Sequence, residues 1–186
     1  DGGSLFDVNY LVESLGLISA ETQPFFPHSC EAVFGRSVES DAAIDWFTSY
    51  QKSERLMSAG SISMSSLSRL LICQFDFNEA RSRRIENFDL LCRLLPDFFF
   101  TGERLGDAVP IGFPVKVANR KELLKVLYKE NVFPAIHWEI GSFVPEKFVD
   151  SHTLARQIMT LPCDQTYQTG DMEKQAELIG HYGIPA

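Results

Sequence analysis

The hydrophobic period changes partway along this chain, and that change limits the possible folds more than any motif does. Up to Pro96, apolar residues recur at helical spacing: Ile44, Phe47 and Tyr50, then Leu67, Leu70, Leu71, Phe75 and Phe77, then Ile85, Phe88, Leu91, Cys92 and Leu95. From Ile111 onward, short apolar and β-branched runs alternate with amphipathic stretches. A sequence written this way predicts an α+β fold: a helical N-terminal part with a long helix, followed by a small C-terminal domain whose short sheet is covered by helices. Thr101, Gly102, Gly106 and the charges among them mark the expected division, giving domains 1–107 and 108–186.

Within that frame, residues 1–40 read as irregular, punctuated by Gly16, Pro24, Pro27 and Gly35, with Phe25 and Phe26 between the prolines. Asp41 is placed to cap a helix running to about Met57, and the long helical segment starts near Ser63 or Ser65 and stops at Pro96. In the last third, Ile111–Val117 predicts a strand, Asn119 caps a helix over Arg120–Lys129, and Asn131 closes it. Val132–Trp138 predicts a second strand, with Pro134 suited to an edge or a strand end. A helix over Ser151–Gln157, a strand over Ile158–Leu161 ended by Pro162, and a helix capped by Asp171 and reaching about His181 complete the pattern.

The 186 residues are 45% hydrophobic, enough to bury a core. The net charge of -8 argues against a nucleic-acid binder or an anionic-membrane reader. The negative charge is local, since residues 1–60 hold Arg36, Lys52 and Arg55 against nine acidic residues. No apolar run approaches membrane-spanning length, so a cytoplasmic protein is the expectation. Cys30, Cys73, Cys92 and Cys163 stand far apart without a C-x-x-C pair, and with His28, His152 and His181 isolated no metal site is expected. Cys73 and Cys92, within apolar stretches, are expected to be buried reduced thiols.

Three features can carry chemistry. His137 sits beside Trp138 and close to Glu139 at a strand end, where an imidazole can meet a substrate, although a backbone-bonded structural histidine is the commoner outcome. Ser58, Ser61, Ser63, Ser65, Ser66 and Ser68 run into a helix start, where free N–H groups favour a phosphate, against the plainer role of N-capping. Arg81, Arg83 and Arg84 can grip an anion or simply form a solvated face. Taken alone, these residues define no reaction.

Three segments taken together resemble the back half of the DegT/DnrJ/EryC1/StrS sugar aminotransferase-like family: Asp1-Gly2-Gly3, the helix carrying Arg83-Arg84-x-x-Asn87-Phe88-x-x-Leu91, and the tail from I-H-W-E-I at 136–140 through L-P-C-D-Q-T-Y at 161–167 to Asp171-Met172. The resemblance implies a fold-type-I cofactor domain that binds pyridoxal phosphate, and a smaller α+β domain after it. It implies a homodimer acting on a nucleotide sugar in sugar-nucleotide or surface-polysaccharide biosynthesis, with no nucleic-acid or membrane partner. It places the Schiff-base lysine just upstream of Gly2-Gly3, so the chain alone is expected to lack catalytic residues and to bind no cofactor by itself. Where the family commonly has Asn-x-Arg reaching the cofactor phosphate, this sequence has Ser61-Ile62-Ser63-Met64, which makes Ser61 and Ser63 the cofactor contacts by resemblance. The same resemblance turns His137 and Trp138 toward the substrate cleft. Two other readings stand beside it: a non-enzymatic interaction module docking through residues 1–40, and a family member that has kept the fold and lost the chemistry.

Overall fold

The computed structural model describes residues 18–37, 45–57, 62–100, 106–137 and 139–186. It has the expected α+β composition, and its contacts divide the chain into two compact units, Asp1–Phe75 and Asp76–Ala186. The division therefore falls earlier than the Gly-rich stretch at 102–107. The physical reason lies in one helix.

In the first unit, Ile18–Ser19 (β1) and Ile62–Ser63 (β2) pair in parallel, Ile18 opposite Ile62 and Ser19 opposite Ser63. Three helices accompany them: Phe26–Ser37 (α1), Trp46–Leu56 (α2) and Ser66–Gln74 (α3). Helix α1 lies in the stretch expected to be irregular. Pro27 in its first turn is compatible with a helix, because the N–H that proline lacks would have no intrahelical partner there. Helices α1 and α2 are joined through the Glu31 carboxylate, which accepts from the Ser49 hydroxyl at 3.0 Å and meets His28 Nδ1 at 3.1 Å. The His28 contact, then the Ser49 hydroxyl, hold the Glu31 carboxyl below its ordinary pKa. Asp45 caps α2 by accepting the Thr48 N–H; the expected cap, Asp41, lies outside the described residues.

The single helix expected from Ser65 to Leu95 is two helices. Helix α3 ends at Gln74, and Phe77–Leu94 (α4) restarts after Asp76, whose carboxylate accepts the N–H groups of Asn78 and Glu79. An aspartate with a free N-terminal turn ahead of it starts a helix more readily than it continues one. Apolar spacing runs through the break, which is why the period alone reads as one segment.

Helix α4 belongs to the second unit because its buried face is part of that unit's core. Phe88, Leu91 and Leu95 pack with Phe113, Val115, Leu123, Leu127, Met159, Leu161, Met172 and Ile179. Phe113 stacks on Phe99 at 4.8 Å and meets Phe88 edge-on at 5.3 Å. The sheet consists of Phe113–Lys116 (β3) and Ile158–Leu161 (β4), antiparallel with Phe113 opposite Leu161 and Val115 opposite Met159. Arg120–Lys129 (α5), Val149–Gln157 (α6) and Thr169–Tyr182 (α7) complete the unit.

Several local details differ from the sequence pattern. Asn119 precedes α5 without capping it: its amide donates to the Tyr182 carbonyl at 2.8 Å and accepts from the Ile184 N–H at 2.9 Å. Asn131 does close the helix, with φ of 59° in the left-handed region that asparagine tolerates. Asp171 acts from inside α7, its carboxylate accepting the Gln168 N–H at 2.7 Å. The strand expected at 132–138 is reduced to one bridge, Ala135 with Thr160. Continuing that antiparallel register would bond Phe133 to Pro162 and His137 to Ile158. Pro162 has no N–H and gives its carbonyl to Gln175, while the Ile158 N–H is already bonded to the Leu154 carbonyl, so the ladder stops on both sides.

Replacing Phe113 by Ala removes a fully buried ring from this aromatic cluster and should cost ~3–5 kcal/mol of stability. Leu70→Ser, on an exposed face of α3, should change stability by less than ~0.5 kcal/mol. Urea unfolding of the two variants tests the contrast, and equal losses would contradict the placement of the core.

Candidate functional site

In the second unit the two motifs quoted for the 83–91 helix and the 161–167 loop are bonded to each other. Asn87, only 2% exposed, donates through Nδ2 to the carbonyls of Asp164 and Tyr167, both at 3.1 Å. One turn earlier, Arg84 donates from Nε to Gln165 Oε1 at 2.6 Å and from Nη1 to the Pro110 carbonyl at 3.1 Å. Arg83 points to a different use, a surface pair with Glu86 at 3.8 Å, of the kind that contributes little in water. Of the three arginines, Arg84 thus ties the loop, while Arg83 and the exposed Arg81 lie on a solvated face.

His137 is exposed at the end of the Ala135 bridge, with Nδ1 3.2 Å from Thr160 Oγ1 on β4. A solvent-facing imidazole beside a hydroxyl can exchange hydrogen bonds with a bound polar molecule. Trp138 lies outside the described residues. Thr160 is the neighbour that sequence reasoning missed, since nothing in the sequence records which β4 residue sits across the bridge.

Among the described residues, the serine stretch takes structural roles. Ser63 is buried in β2, and Ser61 lies outside the described residues. Ser65 caps α3 through the Ser68 N–H at 3.0 Å. The next N–H, that of Ser66, is bonded at 2.7 Å to the Glu21 carboxylate. A helix N-terminus attracts an anion through such N–H groups and its dipole, and here the chain supplies its own. A phosphate at this turn would face the Glu21 charge, so Ser65 and Ser66 as arranged do not offer an open anion site. Ser63 and His137 belong to different units.

Elsewhere in the second unit, a cavity of about 630 Å³ is lined by Gly141, Glu146, His152 and Arg156 among others. His152 Nε2 lies 3.1 Å from the Val144 carbonyl; a carbonyl only accepts, so Nε2 carries the proton. Among the described residues no group of three or more His, Cys, Asp and Glu side chains could hold a metal ion. Cys73 is exposed on α3 instead of buried, and Cys92 is partly buried. Cys163, in the loop held by Asn87, is fully buried, and burial pushes its thiol up to about 12. No helix among the described residues is long and apolar enough to cross a membrane.

No protein-family model matches this chain, and comparison with curated proteins finds no match.

Two outcomes follow from this geometry. Asn87→Ala removes a donor from two partly buried loop carbonyls, of which that of Asp164 keeps another, the Tyr167 N–H at 3.2 Å, and should cost ~1–3 kcal/mol, read by urea unfolding. Cys163 stays protonated in the folded state well above the ordinary thiol value of about 8.5, whereas the unfolded chain loses that proton. Stability from this group is therefore complete below about pH 8.5 and declines as pH rises toward 12. At pH 8, alkylation should label exposed Cys73 quickly and Cys163 only on unfolding; fast native labelling of Cys163 would contradict its burial.

Proposed function

We propose that this chain is the C-terminal portion of an aminotransferase-like protein of sugar-nucleotide or surface-polysaccharide biosynthesis, a cytoplasmic homodimer. In this reading the α+β unit meets a nucleotide-sugar substrate through His137 and Trp138. The observation that supports it is the bonding of Arg84 and Asn87 to the 161–167 loop: the segments carrying the family resemblance depend on each other in space. Their role is structural, however, so they support the architecture of the small domain and give no catalytic group.

Pyridoxal phosphate belongs, in this reading, to the full-length protein and is not held by this chain alone. The Glu21 carboxylate at the N-terminus of α3 favours a second reading, a family member that keeps the fold without the chemistry. The two readings differ in one measurement. In the longest natural form of the protein carrying this sequence, borohydride reduction after incubation with pyridoxal phosphate should leave a modified lysine if the chemistry is kept, and none if it is lost.

Substrate recognition is tested separately. Binding of a uridine-diphosphate amino sugar, measured by calorimetry on the same protein, should weaken about 5- to 10-fold in His137→Ala, the loss of one or two hydrogen bonds. Absence of binding in the unmodified protein, or a variant indistinguishable from it, would count against the nucleotide-sugar assignment.

A further inference from the structure

Thr160 lies opposite Ala135 across the bridge, so the side chains of Thr160 and His137 emerge on one face of the sheet, diagonally across the two strands. The Thr160 backbone is fixed there by both bonds of the bridge: its N–H donates to the Ala135 carbonyl at 2.8 Å and its carbonyl accepts the Ala135 N–H at 2.9 Å. On the other side, Pro114 of β3 is its register partner.

The side chain is confined as well. A Cβ added at Gly112 would lie 2.5 Å from the Thr160 methyl and 3.0 Å from the Leu161 carbonyl oxygen, closer than packed atoms tolerate. Gly112 therefore leaves the space beside that methyl, and with the methyl there the hydroxyl comes within 3.2 Å of His137 Nδ1. A β-branched side chain is stiff about χ1, so the hydroxyl does not swing away cheaply.

The direction of the bond follows from what each atom can give. Thr160 Oγ1 carries one proton, and among the described residues His137 Nδ1 is the acceptor within its reach. The reverse arrangement, Nδ1–H donating to Oγ1, would leave the proton of a half-buried hydroxyl without an acceptor in the protein. An Nδ1 that accepts puts the ring proton of the neutral imidazole on Nε2.

We propose that Thr160 is the positioning residue of His137: its hydroxyl donates to Nδ1, orients the ring and keeps the proton on Nε2. A ligand is then met by an N–H donor and must bring an acceptor oxygen to it. The functional part rests on the reading of His137 as a substrate contact, whereas the tautomer is a property of the protein without ligand.

Nitrogen-15 NMR of the imidazole, on the full chain at a pH high enough for a neutral ring, reads the tautomer directly. The unmodified protein should show the Nε2–H form in large excess. Thr160→Val keeps the shape and removes the hydroxyl, and should lower the ratio of Nε2–H to Nδ1–H about 3- to 10-fold, the size of one hydrogen bond. Thr160→Ser keeps the hydroxyl and should stay within about 2-fold of the unmodified ratio. Gly112→Ala, which claims the space beside the methyl, should lower the ratio as Thr160→Val does. In calorimetry with a uridine-diphosphate amino sugar, Thr160→Val should weaken binding about 2- to 5-fold, and should add nothing in a His137→Ala background. An unchanged ratio in Thr160→Val, a ratio in Thr160→Ser as low as in Thr160→Val, or a binding loss that persists without His137 would each overturn the proposal. A shifted ratio with no binding of the sugar nucleotide would leave the positioning role standing and sink the substrate reading instead.

Discussion

The second unit depends on a buried asparagine. Asn87 is placed by α4 and spends both N–H bonds of its amide on carbonyls of a loop far along the chain, so the loop's path is fixed by the helix. Without that donor the Tyr167 carbonyl would lose the Asn87 bond at a partly buried place, while that of Asp164 would keep the Tyr167 N–H at 3.2 Å. Much else follows from the held loop: the burial of Cys163, the position of Pro162 opposite Gln175, and the end of β4. Arg84 reinforces the same loop from its edge through Gln165, and adds a hold on Pro110 ahead of β3. Helix α4 is therefore part of the small domain's core and not merely a connector leading to it.

Where one face of an element is buried, the sequence pattern predicted the element well. Phe113, Val115 and Val117 alternate inward, and a strand, Phe113–Lys116, forms within the apolar run at 111–117. Helix α5 carries Leu123, Leu124 and Leu127 at helical spacing and has the expected bounds, 120–129. The failures at Asp76 and at 132–138 have a common cause, which is competition for particular backbone groups. The apolar stripe ran through Phe75 without revealing that Asp76 would capture two N–H groups and begin a new helix. Residues 132–138 looked like a strand because side-chain type says nothing of the Ile158 N–H already given to Leu154, or of a proline sitting across the bridge. Helix α1 was hidden because Pro27 reads as punctuation until its first-turn position is known.

The candidate site was legible to a lesser degree. His137 could be singled out from its neighbours in sequence, but Thr160 could not, because a cross-strand partner is a fact of register. The serine stretch showed the opposite error. Its composition and its place before a helix indicated an anion, and the anion is there, but it belongs to Glu21, 45 residues away in sequence from the N–H it accepts. A carboxylate supplied from within the chain uses the same donors and dipole as an external phosphate would, so sequence alone does not separate them.

The sequence separation of the Asn87 bonds has a kinetic side. They span 77 and 80 residues, and the Arg84–Gln165 bond spans 81. Contacts this remote form only after a large loop has been closed, and chains that rely on them fold more slowly than those held by local turns. Helix α4 can acquire its turns early, yet its amide finds nothing to hold until β4 and the following loop arrive. Until then a polar side chain sits in the middle of an apolar face, next to Phe88 and Leu91. The residue that specifies the finished core is thus a local conflict for the half-formed one.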